Sequence, residues 1–122
     1  MSGLGCLGIG NNSTGSGGGS GSPTQTSTAI ITATPGGGQA GAYQITAYDN
    51  WVNVVASAND SVKLGSAVKD YTYKVINTGA NDLAVYPQPG ENFYGYAADA
   101  PFIISPGGIE TFVCFTSLEW TF

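Results

Sequence analysis

From Pro23 onward the chain is written in short runs of β-branched and aromatic residues, broken every few positions by Gly, Pro, Asn or Asp, and that punctuation leaves room for little but a β architecture. The runs are 24–34, 43–48, 51–55, 61–64, 71–76, 83–86, 102–104, 110–115 and 118–122. Within 71–76, Tyr71, Tyr73 and Val75 fall on one face and Thr72, Lys74 and Ile76 on the other, the alternation of a half-buried strand. Pro35-Gly36-Gly37-Gly38 ends the first run, Asp49-Asn50 splits the second from the third, and 77–82, 87–90 and 105–108 read as turns. Nowhere does a helical stripe extend beyond two turns. Eight or nine short strands at regular spacing predict an all-β fold, a single antiparallel β-sandwich or jelly-roll-like domain. No internal repeat is visible, which argues against a long, repetitive fibre.

Ahead of these runs, residues 1–22 hold nine glycines and become nearly pure Gly/Ser over 15–22. Such a segment buries too little apolar area to offset its backbone entropy. The chain therefore divides into an extended Gly/Ser-rich arm, 1–22, and a β domain, 23–122. Composition alone allows a plain flexible leader. Leu4, Leu7 and Ile9, spaced among glycines at the far end, favour a docking arm whose apolar side chains seat in a neighbour's groove. Fully extended, the arm reaches about 75 Å, against a radius of gyration of about 13 Å for a domain of this size.

Composition removes several function classes. There is no His and no Arg, so the usual general base and the bidentate phosphate fork are missing. Three cations, Lys63, Lys69 and Lys74, in a chain of net charge -5 are too few to neutralise a nucleic-acid backbone. No apolar run approaches a bilayer's thickness, and the N-terminus has neither a basic n-region nor a continuous h-region, so neither a membrane partner nor a cleaved signal is expected. Cys6 and Cys114 read as two reduced thiols rather than one bridge, with Cys114 in the core or at an interface. Two Cys without His are too few for a metal site. The eight carboxylates follow no dense ligand spacing, and most fall in turns. The glycine clusters lack the Lys-Ser/Thr that a phosphate loop requires. No catalytic residue, cofactor or metal is expected.

Aromatic residues are the stronger signal. Tyr86, Phe93, Tyr94, Tyr96 and Phe102 crowd into one Pro/Gly-rich stretch, as interface or sugar-stacking loops do. Phe93 and Phe102 read as plugs for the end of the domain, Tyr94 and Tyr96 as interface residues. The last run places Leu118, Trp120 and Phe122 on one face, to be packed in or completed by a partner. The interface candidates are thus Leu4, Leu7, Ile9, Tyr94, Tyr96, Trp120 and Phe122.

Several fragments also occur in a telling order. Gly37-Gly38-Gln39-Ala40 precedes a Tyr/Thr-rich strand, followed by Asp60-Ser61-Val62-Lys63-Leu64 and Val75-Ile76-Asn77-Thr78-Gly79-Ala80. Val85-Tyr86-Pro87 comes next with Gly90 and Gly95, then Ala97-Ala98, then Thr111-Phe112-Val113-Cys114 before Trp120. Over residues 28–120 this order resembles a recurrent β-domain in structural proteins of tailed bacteriophages. Asn92-Phe93-Tyr94-Gly95-Tyr96 departs from the smaller side chains of that pattern. The resemblance implies a non-enzymatic virion component, made in the host cytoplasm, either a capsid decoration (cement) protein on the outer shell or a module of a tail, collar or head fibre, and the compact domain with its arm fits the first better. Its partners would be the major capsid protein and copies of itself in a homotrimer, with the arm tying neighbouring subunits. The alternative is a host-surface or carbohydrate-binding module of a tail, collar or head fibre, with glycan as the partner.

Overall fold

A computed structural model describes residues 26–36 and 38–122. The arm, with Leu4, Cys6, Leu7 and Ile9, lies outside the described residues. The elements are β1 (Thr26–Thr32), the four-residue α1 (Gly38–Gly41), β2 (Tyr43–Gln44), β3 (Ala47–Val54), β4 (Asp60–Lys63) and β5 (Thr72–Asn77), then β6 (Leu83–Tyr86), β7 (Asn92–Phe93), β8 (Phe102–Ile104), β9 (Ile109–Cys114) and β10 (Glu119–Thr121). The fold is all-β. No helix among the described residues is long and apolar enough to cross a membrane.

The strands form a six-stranded sheet, β1-β3-β5-β9-β10-β7, and a four-stranded sheet, β2-β4-β6-β8. The expected antiparallel sandwich or jelly roll is overturned here. β1, β3 and β5 run parallel in the first sheet, and β2, β4 and β6 run parallel in the second. The reason lies in the connections. From β2 to β6 each link turns a corner into the opposite sheet instead of folding back as a hairpin, so strands two apart in sequence stack in the same direction. Thr28 lies on Asp49 and Asp49 on Lys74, while Asp60 lies on Leu83, so one turn of this solenoid-like stack takes about 20 to 25 residues. A structural repeat is therefore present where none was expected. The last strands reverse: β8 pairs antiparallel with β6 and β9 with β5, and β10 folds back on β9.

A second expectation fails at Asp49-Asn50, which does not break the chain. β3 runs straight through it, because Asn50 turns inward and its Nδ2 donates to the carbonyls of Ala47 (2.7 Å) and Lys74 (3.2 Å). These bonds satisfy the donor half of the amide, while its buried Oδ1 meets no hydrogen-bond partner among the described residues.

The core lies between the sheets. Its coiled part is aliphatic, with Ile31, Val52, Val62, Val75, Leu83 and Val85, whereas Phe93, Phe112 and Trp120 fill the end closed by β9 and β10. Coil stacks on coil most tightly at the corners. Asn81 Nδ2 donates to the Val55 carbonyl at 2.8 Å, and the Asn59 amide to the Asp82 carbonyl at 2.8 Å. Gly79 lies so close above the previous corner that a Cβ there would stand 2.7 Å from the Val55 amide nitrogen. Gly79→Ala should accordingly destabilise the domain by about 1–3 kcal/mol in chemical unfolding, since backbone cannot yield as a side chain does. Gly41→Ala, which meets nothing within 4 Å, should leave the unfolding midpoint almost unmoved.

Candidate interaction surface

β7 and β10 lie at one edge of the six-stranded sheet, and their pairing positions the aromatic stretch. Asn92 and Phe93 run parallel to Glu119 and Trp120, and the Tyr94 amide extends the ladder to the Trp120 carbonyl at 2.8 Å. Gly95, with φ +83°, then turns the chain, and the Tyr96 amide returns to the Phe93 carbonyl at 2.8 Å. The result is a graded stack of rings. Phe93 and Phe112, both buried, form the base with centroids 5.1 Å apart. Phe102 rests on both, at 6.0 and 5.3 Å. Tyr96 stacks on Phe102 at 5.8 Å, and Phe122 meets Phe102 at 4.7 Å and Tyr96 at 5.8 Å. Such tilted and edge-on pairs are favourable beyond their burial.

The interface candidates separate accordingly. Tyr96 (39 % exposed) and Phe122 (50 %) form a rim supported from beneath, and Tyr94 stands furthest out at 63 %. Tyr94 stacks on no other ring among the described residues. Phe93, read as a plug, is fully buried, and Phe102 is half-buried beside it. Trp120 is the exception. It is fully buried within its own chain and so belongs to the core and not to an interface. Its burial has a cause: Nε1 donates to Glu91 Oε1 at 3.1 Å, while Glu91 Oε2 accepts the Ala67 amide at 2.9 Å. Both oxygens of this buried carboxylate are thereby engaged, and the loop after β4 is pinned to the final strand. Tyr73 packs against Trp120 at 5.5 Å, and a Cβ at Gly65 would collide with the Tyr73 hydroxyl. Cys114 is buried in the same core, its Sγ 2.9 Å from the Thr116 carbonyl oxygen.

The turns on either side of the aromatic stretch are latched to α1. Gln39, on α1, donates through Nε2 to the Pro87 carbonyl (2.9 Å) and to Asp99 Oδ1 (3.1 Å), which also accepts the Gly90 amide at 2.8 Å. Asp99 and Gly90 both have positive φ.

A second surface escaped the sequence reading. On the outer face of the six-stranded sheet, Ile30 pairs with Trp51, Trp51 with Ile76 and Ile76 with Ile109. These four form an unbroken apolar row across four strands, and all but the half-buried Ile76 are exposed. The only signal for it was the coil spacing, because the four residues are distant in sequence and align only once β1, β3 and β5 stack in parallel. The adjacent row holds Thr28, Asp49, Lys74 and Thr111, with Asp49 and Lys74 in an exposed ion pair of 3.4 Å. Among the described residues no three Cys, Asp or Glu side chains converge as a metal site would require. Comparison with protein-family models, curated proteins and solved structures finds no match to this chain.

Two pH responses follow. The Gly90 amide and then the Gln39 side chain hold the Asp99 carboxyl below its ordinary value of 3.8. A depressed folded value means the stabilisation is complete above pH 3.8 and declines as pH falls from there through the lower folded value. An acid titration of stability should be shallower below that point for Asp99→Asn than for the natural chain. At the other extreme, burial first, then Tyr71, Glu91 and Cys114 nearby, pushes the Tyr73 hydroxyl up to about 12. A raised value reverses the sign: the stabilisation is intact below pH 10 and is lost as pH rises toward about 12. Tyrosinate absorbance should show one tyrosine ionising together with alkaline unfolding, and Tyr73→Phe should remove that phase.

Proposed function

We propose that this chain is a non-enzymatic structural protein of a tailed-bacteriophage virion, a decoration protein held on the outer capsid shell together with copies of itself. The observation that carries the reading is the aromatic rim of Tyr94, Tyr96 and Phe122. Tyr96 and Phe122, resting on a buried aromatic base, have given up much of their rotamer freedom on folding, so docking costs them little further entropy, while Tyr94, which stacks on no ring among the described residues, is the most exposed of the three. Tyr is also among the residue types that dominate binding energy at protein interfaces. Only 9 % of the residues are charged, so the rest of the surface offers little electrostatic attraction and leaves shape and apolar contact as the means of attachment. The ordered resemblance over 28–120 supplies the phage context, and the arm, with Leu4, Leu7 and Ile9, is the second point of attachment in this reading.

The test is attachment to shells stripped of the protein. Tyr94→Ser should weaken binding about tenfold, and Tyr94→Ser with Tyr96→Ser more, while the thermal midpoint of the Tyr94 variant stays near that of the natural chain. Undiminished attachment of both variants overturns the reading. Should the natural chain ignore shells but bind glycans, and the double variant lose that binding, the rim serves carbohydrate stacking and the receptor-binding module takes its place.

A further inference from the structure

The four outer edges of the two sheets are unequal. β7 and β2 are two residues long and β8 is three, but β1 is seven, and nothing among the described residues pairs with its outer side. Its sequence, Thr-Ser-Thr-Ala-Ile-Ile-Thr, contains none of the Lys, Pro or inward charge by which edge strands repel one another. The one irregularity, a shift in register between Ile31 and Thr32, is confined to its end and leaves Thr28 to Ile31 regular. Ile30 stands at this edge, the most exposed large apolar side chain at 73 %, and it is also the first residue of the row that continues through Trp51 and Ile76 to Ile109.

We propose that β1 pairs antiparallel with β1 of a second copy of this chain about a two-fold axis, with Ile30 opposite its counterpart, joining two six-stranded sheets into one. Three observations select a second copy as the occupant. Pairing satisfies the backbone groups of the edge that no described residue pairs with, and an isologous contact needs only one self-complementary strand. The apolar row then meets its own image and runs unbroken across eight strands, so Ile30 is covered by a side chain of its own kind. Charge points the same way. Each copy carries a net charge of -5, yet β1 has no ionised side chain, and the neighbouring Asp49 and Lys74 neutralise each other, so two acidic molecules meet here without opposing like charges. A partner of opposite charge would find nothing to pair with. One strand pair and one row fall below the area of a standard stable interface, so the association belongs in the micromolar range. The contact follows from the fold and does not depend on the virion reading. It replaces the three-fold assembly implied by the resemblance with a two-fold one.

Sedimentation equilibrium of the full chain at tens of micromolar should return twice the chain mass of 12.4 kDa. Ile30→Lys and Ile30→Glu, placed at an exposed position, should each sediment as monomers with nearly unchanged thermal midpoints. An equimolar mixture of the two should recover the dimer, with a dissociation constant at least tenfold below that of either variant alone. In the natural chain, hydrogen exchange of the β1 amides should slow as concentration rises, while that of the central strands stays constant. A monomeric natural chain overturns the proposal, including the case in which its own N-terminal segment protects β1 at every concentration. A trimer insensitive to Ile30→Lys overturns it as well, and so does a mixture of the Lys and Glu variants that stays monomeric. None of these outcomes bears on shell attachment through Tyr94, which lies at the opposite edge of the sheet.

Discussion

The fold depends on how one corner of the coil rests on the next, and Asn77 is the residue through which that contact is organised. It is fully buried at the end of β5, and every polar atom it has is engaged. Nδ2 donates to the Asn81 and Ile104 carbonyls, both at 2.8 Å, and Oδ1 accepts the Gly79 amide at 2.9 Å. Its backbone exchanges bonds with the turn before β9, the Gly107 amide to its carbonyl at 2.7 Å and its own amide to the Gly108 carbonyl at 2.9 Å. One side chain thus joins the 78–82 corner to β8, and one backbone unit joins β5 to the reversal that ends the stack. Parallel stacking has no hairpin to fix its register, so these side-chain bonds do what a tight turn does in an antiparallel sheet.

The two ends of the six-stranded sheet are finished in different ways, and the difference accounts for where apolar side chains stay exposed. At the β7 end the chain reverses, packs five aromatic rings into a graded stack and leaves only the outermost rings accessible. At the β1 end no described strand follows on the outer side, and the described residues end there on a regular, uncharged edge and the start of an apolar row. Terminal repeats of a solenoid must be covered to remain soluble. Here one terminus is covered by the chain's own closing strands, and the other has no covering strand among the described residues.

The positions of strands were more legible than their partners. The runs at 83–86 and 102–104 coincide with Leu83–Tyr86 and Phe102–Ile104, because each is a short apolar run bounded by turn residues, which local chemistry decides. Strand direction is not local. An antiparallel arrangement is the default for short connections, and only the length of a full coil turn reveals the parallel one. A trace of it exists in Ala58-Asn59-Asp60 and Ala80-Asn81-Asp82, the same tripeptide at successive corners, and the two touch through the Asn59 amide and the Asp82 carbonyl. Asp49-Asn50 misled for the complementary reason: Asn marks a turn when its side chain bonds its own backbone in solvent, but Asn50 spends that capacity on carbonyls inside the core. At the aromatic end the sequence located the cluster and could not rank its members. Trp120 and Phe122 share a strand face, and burial divides them because Glu91 offers the indole a buried acceptor, whereas Phe122 packs on half-buried Phe102 and exposed Tyr96.

That use of Glu91 bears on the acidity of the chain as a whole. Net negative charge in a protein without His or Arg invites the expectation of a cationic partner. Three of the carboxylates are instead committed to backbone amides in places where the chain turns. Asp60 accepts the Ser57 amide at 3.0 Å, Glu91 the Ala67 amide and Asp99 the Gly90 amide. Each anchors a corner or loop that has too few residues to close its own hydrogen bonds, which is the recurrent difficulty of a coil built from short strands. Two of the three cations pair with Asp neighbours at the surface, Lys69 with Asp70 and Lys74 with Asp49. Three of the eight carboxylates thereby help to hold the coil in shape. The row beginning at Ile30 is flanked by Asp49 and Lys74, which neutralise each other, so apolar contact there meets no net charge.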